Sequence, residues 1–357
     1  MKICILIDSM VVPAGLERFV SVITGLWLDS GHEVVLLTKD NRKSFYPLHK
    51  DIQLETLNYE SKIMVGSKLK KSFYIVHEFI KLNTKLYNKI EEIKPDYIYC
   101  GTAINTFLTY ITFRKKYKVI AAEHGAYSAQ HKVYKILKRI IYPKVYAVVS
   151  LTNTDMQKYL KINKNSYCVP NPLPMKVELK ADLKSKQVIA VGRLIPQKGY
   201  DYMLAVWELI VKKHPDWKLR IFGKGYLKES LQKTINDKKI HNSTFLSGIS
   251  ANILEEYVKS SIFLMTAINE GLPMALLEAM ECGLPVVSFN TPEGPKEILD
   301  GSNGLISACY DVEDLATNLC RMIEDESLRY YYSERSINKS RDYNPEAISR
   351  LWNNVFQ

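Results

Sequence analysis

Twice along the chain, short apolar runs alternate with stretches of helical periodicity. A segment with three prolines in seven positions, Val169-Pro-Asn-Pro-Leu-Pro-Met175, falls between the two series. In the first series the strand candidates are residues 3–7, 34–38, 52–57, 97–100, 118–122 and 146–150, and helical patterns are clearest at 17–30, 72–93 and 154–160. In the second, strands are expected at 188–192, 219–222, 244–246, 262–265 and 286–289, and helices at 200–213, 226–238 and 252–259. Repeated strand–helix alternation joins parallel strands through helical crossovers that cover both sheet faces. The reading is therefore α/β, with two Rossmann-like domains. These are an N-terminal domain over 1–170, a linker over 171–186 and a C-terminal domain over 187–340. A helix over 341–357 is expected to cross back to the first domain. Two parallel sheets facing each other place a central cleft at the carboxyl ends of their strands, where ligands bind in such folds.

Composition narrows the class. Hydrophobic residues make up 46% and charged residues 24% of 357, as in a folded soluble protein with room for two cores. No apolar run is long enough for a bilayer, and the chain enters a strand at once, so a cytoplasmic protein without a signal peptide is expected. Six cysteines are scattered with no paired spacing, which argues against a disulfide or zinc framework. The net charge of +11 calls for an acidic partner. Basic residues crowd 61–94 and 131–144. The second stretch interleaves Val133, Tyr134, Ile136, Leu137, Ile140 and Ile141 with Lys132, Lys135, Lys138 and Arg139. That pattern fits an amphipathic helix at an anionic membrane surface, and equally a helix docked on its own core with a solvated lysine face. No recognition motif for nucleic acid accompanies the charge.

The stretch with most chemistry in it is Thr266-Ala-Ile-Asn-Glu-Gly-Leu-Pro-Met-Ala-Leu-Leu-Glu-Ala-Met-Glu-Cys-Gly283. A strand runs into a turn at Glu270 and Gly271, Pro273 stands where a helix begins, and Gly283 where it ends. Glu270 lies in the turn and Glu278 two turns into the helix, at most about 12 Å apart along a regular helix. That is the reach of a nucleotide diphosphate-linked sugar from its hexose to its ribose, and the helix start between them attracts phosphate. The other strand exits add cations and a glycine. Arg193 and Lys198, in Gly192-Arg-Leu-Ile-Pro-Gln-Lys-Gly199, supply a planar fork and a point charge suited to a diphosphate, or are solvated loop cations. Gly15 precedes a helix and lets backbone amides approach an anion, or simply turns the chain. His124, after the 118–122 strand, can bond a sugar hydroxyl or serve structure alone. Asn171, in the proline segment, reads better as a turn residue than as a phosphate contact. There is no Asp-x-Asp and no cluster at metal spacing. No metal or other cofactor is therefore expected, and the cations and helix end would stabilise a leaving phosphate.

Together, the Glu270-to-Glu278 spacing, Gly192-Arg193 with Lys198-Gly199, the Gly15 loop and the C-terminal helix resemble retaining glycosyltransferases of family four. The resemblance covers nearly the whole chain and implies the GT-B fold. Pro292-Glu-Gly-Pro-Lys-Glu-Ile298 further resembles members that use UDP-hexose or UDP-N-acetylhexosamine to extend lipid-linked bacterial surface glycans. By resemblance, Glu270 contacts the donor sugar and Glu278 the ribose, while Arg193, Lys198 and the Gly15 amides hold the diphosphate. Backbone amides around Gly271, Leu272 and Pro273 help bind sugar and phosphates, and His124 sits by the reacting sugar. The first domain departs from the pattern, with Ala14-Gly15 where many members have two glycines, and with Glu123 before the histidine. The implied partners are a UDP-linked donor and a glycan or glycolipid acceptor. The competing readings are a sugar-nucleotide epimerase of the same architecture and a non-catalytic subunit.

Overall fold

Each half of the chain builds an all-parallel sheet in the computed structural model, which describes residues 1–12, 15–59, 68–173, 177–291 and 294–357, with side chains for all of these but 68–78 and 133. By contacts the chain divides into unit 1, Met1–Pro174 with Ser349–Gln357, and unit 2, Met175–Ile348.

Unit 1 runs β1 (Lys2–Ile7), α1 (Gly15–Asp29), β2 (Glu33–Thr38), β3 (Gln53–Thr56), α2 (Lys68–Ile93), β4 (Tyr97–Cys100), α3 (Ala103–Phe113), β5 (Lys118–Glu123), α4 (Lys132–Ile141), β6 (Ala147–Ser150), α5 (Asn153–Leu160) and β7 (Ser166–Cys168). Its seven strands lie in the order β3-β2-β1-β4-β5-β6-β7. Strands β4 and β6 are buried at every position, which is why they read as continuous apolar runs rather than as alternation.

Unit 2 continues with β8 (Gln187–Val191), α6 (Tyr200–Lys213), β9 (Lys218–Phe222), α7 (Lys228–Asp237), β10 (Thr244–Gly248), α8 (Ile253–Val258), β11 (Ile262–Met265), α9 (Met274–Glu281), β12 (Val286–Phe289), α10 (Pro295–Ile298), β13 (Leu305–Ser307), α11 (Val312–Glu324) and α12 (Glu326–Ser340). Its strand order is β10-β9-β8-β11-β12-β13. In both sheets the order reverses once, between β1 and β4 and between β8 and β11. At such a reversal the connecting helices leave on opposite faces, and a crevice opens outside the carboxyl ends of the two strands.

Several elements escape the sequence pattern. β7 and β13 have three residues each, too few to show a period. α3, AINTFLTYITF, is rich in β-branched residues, yet Thr102 caps it by accepting from the Asn105 amide, and packing overrides propensity. α11 and α12 start at Asp311 and Asp325, whose side chains accept from the Asp314 and Leu328 amides. The last helix, α13 (Pro345–Val355), begins in unit 2 and ends in unit 1. Its Trp352 is buried with the ring centroid 5.0 Å from that of Trp27, and Tyr97 donates to the Phe356 carbonyl at 2.9 Å.

Of the expected linker, 174–176 lie outside the described residues. Residues 181–183 are pinned to unit 2 through Ala181 N to Cys282 O, Asp182 N to Val258 O and Arg329 Nε to Leu183 O. Every cysteine is unpaired. Among the described residues, no helix is long and apolar enough to cross a membrane.

Candidate functional site

In unit 2, two strand exits converge. After β8 the chain passes Gly192 and Arg193 into a single 3₁₀ turn, Pro196–Lys198; after β11 it passes Thr266 to Pro273 before α9 starts. Three hydrogen bonds join the two loops: Ile268 N to Gln197 O at 2.9 Å, Gln197 Nε2 to Asn269 O at 3.0 Å and Thr266 Oγ1 to Lys198 O at 3.1 Å. Gly199 permits the approach. Its φ of +64° is open to glycine, and a Cβ there would stand 2.1 Å from the Thr266 carbonyl oxygen. The loops are thereby fixed relative to each other, and Lys198 forms an ion pair with Glu270.

That pair differs from the expectation of Lys198 as a cation for phosphate alone, because the Glu270 carboxylate sets where its ammonium sits. Arg193 is exposed and has no side-chain partner among the described residues, so its guanidinium is the freer of the two cations. Glu278 is buried five residues into α9, nearer its start than the two turns expected, and accepts from Tyr257 at 3.4 Å. Gly271 is half-buried and Leu272 buried. Pro273 corrects one expectation: it carries no N–H, so it cannot offer an amide to a phosphate. It is instead the N-cap of α9, without a side-chain cap, and its carbonyl accepts from Leu276 N. The first amides of α9 are those of Met274 and Ala275. Lys198, Thr266, Pro273 and Ala275 line one recess at this end of the sheet. Pro292 and Glu293 lie outside the described residues. Gly294 packs so closely on the Glu270 turn that a Cβ would meet Glu270 Cβ at 2.8 Å.

In unit 1, Gly15 is the exposed first residue of α1, and a Cβ there would meet nothing within 4 Å, so sterics alone do not demand glycine. Ala14 is outside the described residues. His124 follows β5 directly. Its Nε2 is 2.6 Å from the Tyr99 hydroxyl, its ring lies 4.8 Å from that of Phe19, and its Nδ1 is buried without a partner among the described residues. Burial pushes the imidazole pKa down to about 4, so the ring is neutral near pH 7. Burial also holds Tyr99 well above the ordinary phenol range. Tyr99 was missed in the sequence because it reads as one more apolar residue of β4.

Glu123, the last residue of β5, is also buried, against Lys138 of α4 at 2.6 Å, Gln130 Nε2 at 3.0 Å and the Tyr142 hydroxyl. This corrects the picture of α4 as a helix with its lysines in solvent. Lys138 is 3% exposed, and burial lowers its pKa against the pull of Glu123. Lys132, Tyr134, Ile136, Arg139 and Ile140 remain exposed on α4. Asn171 is buried in unit 1.

Residues 174–339 match the family model Glycosyl transferases group 1. An uncharacterized glycosyltransferase of Haemophilus influenzae is 27% identical, covering 96% of both chains. The amylovoran biosynthesis glycosyltransferase AmsD of Erwinia amylovora is 28% identical over 99% of both. Among solved structures, a variant of TarM from S. aureus in complex with fondaparinux, alpha-GlcNAc-glycerol and UDP superposes with a TM-score of 0.81 at 16% identity, covering 100% of this chain and 99% of that one. Residues 174–339 thus match a group 1 glycosyltransferase domain, and the chain as a whole has the GT-B fold of these solved structures.

Proposed function

We propose that this protein moves a hexose or N-acetylhexosamine from a UDP-sugar to a hydroxyl of a growing, lipid-linked surface glycan, with retention of anomeric configuration and without a metal. The observation that carries the donor reading is the Lys198–Glu270 pair at the β8/β11 crevice, with Arg193 exposed beside it and Glu278 buried in the next helix. In this reading Glu270 faces the donor sugar and Glu278 the ribose. Arg193, Lys198 and the first amides of α9 hold the diphosphate. UDP in the complex of the TarM variant and the polysaccharide named for AmsD support this donor and pathway class.

The bond from the anomeric carbon to the β-phosphate oxygen breaks as the acceptor oxygen bonds the same carbon on the same face. The acceptor's proton passes to the departing phosphate oxygen. No side chain is placed as a covalent nucleophile, so the rate comes from positioning and from cations facing the charge that develops on the diphosphate. The neutral His124, with Nδ1 unpartnered among the described residues, serves as a hydrogen-bonding group for a sugar. The exposed Ile136 and Ile140 beside Lys132 and Arg139 on α4 support a contact with an anionic membrane surface, where a lipid-linked acceptor resides.

A thermal-shift panel of UDP-, GDP- and ADP-sugars tests the donor, since a ligand that binds only the folded state raises its stability. A shift with UDP compounds alone is expected; none with any UDP compound overturns the proposal.

A further inference from the structure

Unit 2 brings three metal-ligating side chains together well away from the β8/β11 crevice. α6 starts beside the crevice at Tyr200, and its 14 residues carry the chain about 20 Å to His214, the residue that caps its end. His214 meets the C-terminal half of α11, where Cys320 and Glu324 stand one turn apart on the same face. His214 Nε2 is 3.1 Å from Glu324 Oε1, and one ligating atom from each of His214, Cys320 and Glu324 lies within 4.8 Å of the others. Trp207 and Ile210 of α6 share a core with Leu319 and Ile323 of α11, so the backbone that carries the three side chains is fixed. Spacing along the chain hides the group, because His214 stands 110 positions before Glu324.

The donor set decides the ligand class. It consists of one sulfur, one imidazole nitrogen and one carboxylate oxygen. Calcium takes six to eight oxygens and magnesium an octahedron of them, so neither suits a set with a single oxygen. A thiolate with an imidazole selects a borderline-soft cation, and a mixed set of sulfur, nitrogen and oxygen fits tetrahedral zinc. Around zinc such atoms stand about 3.3–3.6 Å from one another. The His214–Glu324 contact is already that short, and side-chain adjustments of about 1 Å complete the set. The Glu324 side chain is 58% exposed against 18% for His214, so the fourth coordination position opens to water.

We propose that His214, Cys320 and Glu324 form a zinc site that clips the end of α6 to the last turns of α11. As the metal binds, the Cys320 thiol gives its proton to solvent and the sulfur bonds the metal as a thiolate. The three ligands meet only in the folded chain, so zinc binding stabilises unit 2. The site takes no part in sugar transfer, since the length of α6 separates it from the crevice.

The test is calorimetric titration of Zn²⁺ into the whole chain after treatment with EDTA, with the melting midpoint read with and without Zn²⁺. Wild type should bind Zn²⁺ saturably and melt higher in its presence, and Mg²⁺ should do neither. Cys320→Ser and His214→Gln should each weaken Zn²⁺ binding by at least about tenfold, no less than the loss of an outer-shell partner costs, and remove the gain in midpoint. Cys309→Ser, at another half-buried thiol, should change neither. Co²⁺ in place of zinc should give a sulfur-to-cobalt charge-transfer band that Cys320→Ser lacks, a signal that surface imidazoles cannot produce. Circular dichroism shows which variants are folded, and Glu324→Ala, at an exposed position, decides if the other two are not. No saturable Zn²⁺ binding in wild type, wild-type affinity in any folded variant of the three ligands, or no thiolate band with Co²⁺ overturns the site.

Discussion

The Tyr99 hydroxyl lies 2.6 Å from Nε2 of His124, and the Tyr99 ring is held between Trp27 at 5.9 Å and Trp352 of the C-terminal segment at 5.8 Å. The histidine is thus oriented by a buried phenol, which the last residues of the chain help to pack. When Tyr99 donates, the ring proton rests on Nδ1.

Tyr99→Phe keeps the ring contacts and removes only that bond. His124 Nε2 then lacks its partner, at a cost of about 1–3 kcal/mol. Turnover with donor and acceptor should fall about fivefold or more while UDP affinity stays near wild type. Equal losses in both would show that Tyr99 supports the fold rather than the histidine.

The pKa of His124 bears on stability as well. Because the folded-state value, about 4, is below the ordinary 6.5, the unfolded chain takes up a proton first as pH falls. The neutral-histidine contribution is intact above about pH 6.5 and is lost progressively towards pH 4, by about 1.4 kcal/mol for each pH unit across that window. Chemical denaturation of wild type and His124→Gln at pH 7 and pH 5 checks this. The variant should lose less stability between the two, and parallel losses would count against it.

The buried Lys138–Glu123 pair ties α4 to the end of β5. Lys138→Met strands the Glu123 carboxylate, with an expected loss of about 3–5 kcal/mol, read as a fall in the melting midpoint. Adding Glu123→Gln should restore most of it. A single variant as stable as wild type would contradict the pairing.

Arg193 is the freer cation, whereas Lys198 is held by Glu270. Arg193→Ala should therefore lower turnover at saturating donor by at least about tenfold, with no change in melting midpoint. A near-normal rate removes it from the diphosphate.

What the sequence disclosed and what it hid follow from distance along the chain. Glu270 and Glu278 share one short segment, and Arg193 and Lys198 another, each opened by a largely apolar strand, so their side of the sheet could be read directly. The Lys198–Glu270 pair joins residues 72 positions apart and depends on Gly199 nesting against Thr266. Tyr99 and His124 sit on neighbouring strands, a relation that strand order sets and periodicity does not show. Lys138 looked like one lysine of a solvated face because nothing local marks Glu123 as its buried partner. α3 was hidden by its own threonines and isoleucines, which favour strands until the Thr102 cap and the sheet beneath decide otherwise.

In the proposed function the unit 2 crevice clamps a nucleotide diphosphate, with Glu278 on the ribose. The most direct test is calorimetric titration of UDP into wild type and Glu278→Ala, with Glu278→Gln as the shape-preserving control. Loss of a charged hydrogen-bond acceptor should weaken UDP binding by roughly 10- to 100-fold in the alanine variant, with the fold retained by circular dichroism. Unchanged UDP affinity in a folded Glu278→Ala protein would contradict the clamp.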